Sequence, residues 1–125
     1  MKMVFIDDNS NIKDLKNLVK KFCDERDWDQ YHNAKDLAIG IITESSELLE
    51  HFRFKSIKEV EDLFNERSKR EEISEEIADI IYFILRFAEK YDIDLSKELQ
   101  KKINKNSKKY PIEKSKGLNK KYNEL

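Results

Sequence analysis

Cysteine, proline and glycine are nearly missing from this chain. Of its 125 residues, one is cysteine, one is proline and two are glycine. A lone Cys23 closes no internal disulfide and supplies no cysteine cluster for zinc. So few turn-makers cannot punctuate a many-stranded β fold, but they suit long helices. Long apolar runs are missing too. The longest, Ile80–Leu85, falls far short of the roughly 20 residues that cross a bilayer. The segment Met1–Asp8 holds no apolar stretch of signal-peptide length. A cytoplasmic protein without membrane contact is expected.

What is present is charge and a core. Charged residues make up 41% and hydrophobic residues 38%, with enough Phe, Ile and Leu to argue against disorder. The length fits one domain spanning 1–125. The net charge of −1 hides an asymmetry, because residues 101–121 hold nine lysines against one acid, Glu113. Such a segment suits a nucleic acid or a phosphate-bearing small molecule. Nucleic acid ranks last, since only Tyr110 and Tyr122 are there to stack on bases.

Apolar spacing predicts helices. Leu15, Leu18, Val19 and Phe22 recur at helical steps within a helix from about Ser10 to Asp27, and Cys23 beside them reads as a small core residue. A polar junction carrying Trp28 and His32 follows. The second helix is expected over about Lys35–Phe52, with Leu37, Ala38, Ile41, Ile42, Leu48, Leu49 and Phe52 on its apolar face. Residues 53–58 read as a connection, and Ser56 is a plausible N-cap for a weak helix containing Val60, Leu63 and Phe64. A third main helix is expected from Glu71 to Tyr91. Between Ile77 and Leu85 it is apolar nearly all round except at Asp79, the pattern of a helix buried inside a subunit or between subunits. Asp92–Asp94 reads as a turn. Ser96 is expected to cap the last long helix, which ends near Lys109 because Pro111 disfavours helix at Tyr110. Residues from about 110 to 125 are expected to form a partly irregular tail. The fold class is all-α, a four-helix-bundle-like arrangement, with subunits packing through buried helices.

Two acidic motifs carry the chemistry. Residues three apart on a helix project together, so Glu44 and Glu47 form one pair and Glu76 and Asp79 another. Gly40, Glu44, Glu47 and His51 share a stripe at the border of the apolar face, where Gly40 allows close approach by another group. Asp79 is flanked by Ile77, Ala78, Ile80 and Ile81. A carboxylate there is costly unless paired or metal-bound. Four converging carboxylates repel, and a hard cation such as Mg²⁺, with Mn²⁺ as a substitute, removes that repulsion. In a chain this charged, solvated acids are the bland alternative. A di-iron site is poorly supported, because neither His32 nor His51 follows a glutamate by three.

An ordered set of segments extends this reading. Glu25-Arg26-Asp27-Trp28-Asp29-Gln30-Tyr31-His32 is followed by Glu44-Ser45-Ser46-Glu47-Leu48 and by Glu75-Glu76-Ile77-Ala78-Asp79. Later come Lys102-Ile103-Asn104-Lys105-Asn106, Tyr110-Pro111 and Lys120-Lys121-Tyr122. The set resembles the MazG-like all-α nucleoside triphosphate pyrophosphohydrolases, particularly their dCTP-pyrophosphatase-like branch. The resemblance runs from about Phe22 to Leu125. It implies hydrolysis of a (deoxy)nucleoside triphosphate, a deoxynucleotide by preference, to the monophosphate and pyrophosphate. Such an enzyme would cleanse the nucleotide pool. Glu44, Glu47, Glu76 and Asp79 would ligate Mg²⁺, with the general base unassigned between Glu44 and Glu47. Trp28 and His32 match the base- and sugar-contacting segment. Lys102 and Asn106 match polar contacts to the nucleotide, and Lys121 and Tyr122 match a C-terminal segment that closes the pocket. Phe54 stands where the branch commonly has Trp, and can still stack on a base. Phe83 stands where Tyr is common and lacks the hydroxyl, and Thr43 replaces a frequent Gly. The resemblance also implies a homodimer or homotetramer. The competing class is a non-catalytic helical module that senses nucleotide or binds a partner, motivated by the apolar helix and the basic tail.

Overall fold

The computed structural model describes residues 4–125. Met1–Met3, the start of the N-terminal stretch read above, lie outside the described residues. Every regular element among the described residues is helical. The main helices are α1 (Ile12–Glu25), α2 (Ala34–Glu50), α4 (Arg67–Lys90) and α5 (Leu95–Lys109), with short α3 (Ile57–Leu63) and α6 (Ile112–Ser115) between and after them. Three 3₁₀ turns, Asp7–Asn9, Asp29–Tyr31 and Tyr122–Glu124, complete the set. The all-α, bundle-like class expected from the spacing is the one observed.

Local chemistry sets the boundaries. The Asn11 side chain accepts from the Asp14 amide at 2.8 Å, and Asp14 accepts from the Asn11 amide at 3.1 Å, so each satisfies an orphan donor at the start of α1. Asn33 caps α2 by accepting from the Asp36 amide at 2.9 Å. Ser56 caps α3 as expected, in a reciprocal pair with Glu59. The last long helix departs from expectation, because Asp94, not Ser96, is its cap and accepts from the Lys97 amide at 3.0 Å. Aspartate serves as well as serine here, and its position sets α5 two residues earlier. α4 begins at Arg67, four residues before the expected start at Glu71. Its first turn has no side-chain cap and is lined instead by the ion pairs Arg67–Glu71 at 3.1 Å and Lys69–Glu72 at 3.3 Å. The tail contains two short helical turns, α6 and Tyr122–Glu124.

The chain divides into two compact units, one ending at Asp92 and the other comprising Ile93–Leu125. In the first, α4 packs against both α1 and α2. Its core is Val19, Cys23, Leu37, Ile73, Leu85 and Ala88. The Cys23 thiol meets the Tyr82 hydroxyl at 3.2 Å and ties α1 to α4. Gly40 faces Phe83, and a Cβ there would lie 2.6 Å from two of its ring atoms. The close approach expected at Gly40 is thus made by α4. Of the burial expected for α4, inside a subunit or between subunits, a single chain supplies one side. Ile77 and Ile81 remain 52% and 42% exposed, because α1 and α2 cover one side of the helix and leave the other. Leu18 and Phe22 on α1, and Ile42 and Leu49 on α2, are likewise exposed on one chain. In the second unit, α5 runs to Tyr110, whose ring meets Tyr122 edge-on at 6.1 Å.

Candidate functional site

α2 and α4 bring the acidic motifs together. Ligand atoms of Glu44, Glu47 and Glu76 all lie within 4.8 Å of one another. Asp79, one turn beyond Glu76, lies outside that closest group, but its charge acts on Glu44. Glu44 Oε2 is buried without a hydrogen-bond partner. Burial first, then a hydrogen bond with Glu47 and the charges of Glu47, Asp79 and Glu76, push the Glu44 carboxyl up to about 7. The Glu76 carboxyl is also raised, by burial and by Glu47, with His51 opposing. His51 Nε2 lies 3.5 Å from Glu76 Oε1. Without a cation the cluster thus favours a proton on Glu44. A hard divalent ion fits in place of that proton. The donors are all oxygen, and an orphaned buried acceptor otherwise costs about 1–3 kcal/mol.

Aromatic rings extend from this cluster within the first unit. Phe83 packs on Gly40 and meets Tyr82 at 5.1 Å, Tyr82 meets Phe22 at 6.0 Å, and Phe22 meets Trp28 at 5.5 Å, all edge to face. Trp28 is 38% exposed and lies 6.4 Å from the His32 ring. Burial and the bond to Cys23 push the Tyr82 hydroxyl well above its ordinary value. Phe54 stands apart on the α2–α3 connection, 94% exposed, with the Arg53 guanidinium 4.7 Å from its ring centre. In the second unit, Asn106 is half-buried, Lys102 and Lys121 are exposed, and the Tyr122 ring carries Lys109 Nζ at 4.9 Å.

The sequence reading missed one group altogether. Arg86 is buried and bonded to His32, Glu89 and Asp29. A signal was available: Arg86 lies seven residues beyond Asp79, so it falls on the same stripe of α4.

The MazG-like family profile matches residues 39–125. Among characterised proteins, dCTP pyrophosphatase 1 of Rattus norvegicus is 30% identical over 114 residues, covering 91% of this chain and 67% of that protein. The Homo sapiens protein of the same name is 28% identical over the same length. A crystal structure of a pyrophosphatase from Archaeoglobus fulgidus is similar with a TM-score of 0.76 and 32% identity, covering 88% of this chain and 99% of that one. The chain belongs to the MazG-like family, on its dCTP-pyrophosphatase-like branch. It is accordingly an enzyme, a nucleotide pyrophosphohydrolase.

Proposed function

We propose that this chain hydrolyses a (deoxy)nucleoside triphosphate to the monophosphate and pyrophosphate, using Mg²⁺ held by Glu44, Glu47, Glu76 and Asp79. The carrying observation is Glu44 Oε2, a buried acceptor without a partner beside two further carboxylates. When bound, Mg²⁺ supplies neutralisation of the triphosphate charge and polarisation of the α-phosphorus, and Mn²⁺ offers the same chemistry. Glu44 or Glu47 takes the proton of the attacking water, since each has two oxygens and ligation need not occupy both. Trp28, His32 and Phe83 form the nucleoside side of the site, supported by their common unit with the acids. Phe54 adds a stacking surface. For Lys102, Asn106, Lys121 and Tyr122 the support is the family match, which runs through residues 39–125 and favours one functional domain over the full chain.

A deoxynucleotide is the proposed substrate, in keeping with relatives named for dCTP, and removal of unwanted nucleotides from the cytoplasmic pool the proposed purpose. A homodimer or dimer-based tetramer is the proposed assembly, supported by the exposed apolar stripes Ile39, Ile42 and Leu49 on α2 and Ile77 and Ile81 on α4. The test is pyrophosphate release across all eight common dNTPs and NTPs, with Mg²⁺ and with chelator. Turnover of at least one nucleotide that stops with chelator is expected. Failure to turn over any nucleotide at micromolar enzyme overturns the reading.

A further inference from the structure

Arg86 holds a position that metal chemistry does not explain. It is 1% exposed, and all three of its nitrogens are engaged. Nε donates to His32 Nδ1 at 2.8 Å, one terminal nitrogen donates to Asp29 at 2.8 Å, and the other donates to Glu89. Lys90 Nζ braces Asp29 from the same helix at 2.9 Å. A guanidinium is a donor only and does not deprotonate in a protein. Its Nε–H therefore needs a bare lone pair on His32 Nδ1. A proton on that nitrogen would set two donors face to face. The single proton of a neutral ring then lies on Nε2. The positive form is opposed by burial, by Arg86 and by Lys90, against the smaller contrary effects of Asp29 and Glu89. His32 thus offers one N–H and no charge.

We propose that Arg86 is a positioning residue for nucleoside recognition: it locks His32 into the neutral form protonated on Nε2, matched to an uncharged acceptor of the nucleoside, a carbonyl or hydroxyl oxygen, rather than to a phosphate. Two relationships support this. The His32 ring adjoins the partly exposed Trp28 ring, 6.4 Å between centres. Arg86 also follows Asp79 by seven residues on α4, about 10 Å along the helix axis, a spacing that suits separate phosphate and nucleoside ends. The proposal rests on the nucleotide reading above.

The test begins with the unaltered full-length chain. Long-range ¹H–¹⁵N spectra resolve its two histidines, assigned with His32→Phe. At pH 7, His32 is expected to show a protonated Nε2 and a bare Nδ1. A proton on Nδ1, or a doubly protonated ring, overturns the proposal. The four deoxynucleoside monophosphates are then added in turn, and separately inorganic pyrophosphate. A shift of the Nε2–H resonance with at least one monophosphate and none with pyrophosphate is expected. A shift with pyrophosphate alone, or with nothing, overturns it. Arg86→Met is expected to relax the proton preference and raise KM about three- to tenfold, the worth of one hydrogen bond, with kcat and Mn²⁺ affinity little changed. Arg86→Lys, which keeps the charge, is expected to retain part of the proton preference. Should Arg86→Met fail to fold, the spectra of the unaltered chain decide. Absence of nucleotide turnover defeats the nucleotide reading separately, because the ring's proton is observed without substrate.

Discussion

Gly40 and Phe83 are in direct contact across the α2–α4 interface. A Cβ built on Gly40 would stand 2.6 Å from Cδ1 and Cε1 of the ring and 2.8 Å from Cζ. Two effects compete in Gly40→Ala. Helix propensity favours alanine by about 1 kcal/mol, while overpacking costs about 1–3 kcal/mol. The overpacking wins, and a fall in thermal midpoint of about 4 °C is expected. Adding Phe83→Leu should restore it. Calorimetry of the two variants checks this, and a single variant as stable as the parent would refute the contact.

The carboxylates make a sharper case. Glu44→Gln, Glu47→Gln, Glu76→Gln and Asp79→Asn should each lower turnover at least about hundredfold, the scale of losing a preorganised electrostatic element. Glu47→Gln, Glu76→Gln and Asp79→Asn should not lower the midpoint of the cation-free protein, since each removes a repelling charge. Retained activity in Glu47→Gln and Asp79→Asn together would break the metal assignment.

The position of Glu44 carries a pH dependence. Its carboxyl ionises near 7 when folded, against 4.5 for the ordinary value. Between these, the folded chain binds more protons than the unfolded one, so this group's stabilisation is present at low pH and lost as pH rises towards 7. Cation binding displaces that proton, so affinity should rise by up to about tenfold per pH unit below 7. Thermal scans in chelator from pH 5 to 8, set beside Glu44→Gln, isolate the first effect. Mn²⁺ calorimetry over the same range reads the second. A chelated profile identical in the variant would discard the assignment.

Self-association follows from the uncovered stripes. Ile42 is 70% exposed and Ile77 52% exposed. Ile42→Lys and Ile77→Lys should lower the molar mass measured by light scattering while leaving helical content intact. A monomeric parent would remove the proposal.

How far the sequence speaks differs by feature. The convergence of Glu44, Glu47 and Glu76 was legible because carboxylates at helical spacing interrupt an apolar period, and the interruption carries its own cost. Gly40 was legible because a glycine inside a helix otherwise has no reason to be there. The start of α4 was not, because its first turn has neither an apolar residue in register nor a cap. For Ile77 and Ile81 the choice between cover inside the chain and cover by a second subunit stayed open, because periodicity states which residues share a face but not what covers it. Arg86 escaped for a related reason: an arginine on a helix is ordinary, and only folding reveals that Asp29 and His32, more than fifty residues earlier, meet it.

Phe54 bears two costs at once. Its ring is 94% exposed, and its backbone has a φ of 61°, a conformation genuinely unusual for a bulky side chain. The Arg53 guanidinium 4.7 Å from the ring centre is a weak, exposed contact that offsets little. Glycine at that position removes the backbone cost and should raise the thermal midpoint, by an amount limited by glycine's greater freedom when unfolded. An engineer seeking durability would change Phe54 first. If its ring stacks on a base, that same change would weaken nucleotide binding, so durability and grip would pull this one position in opposite directions.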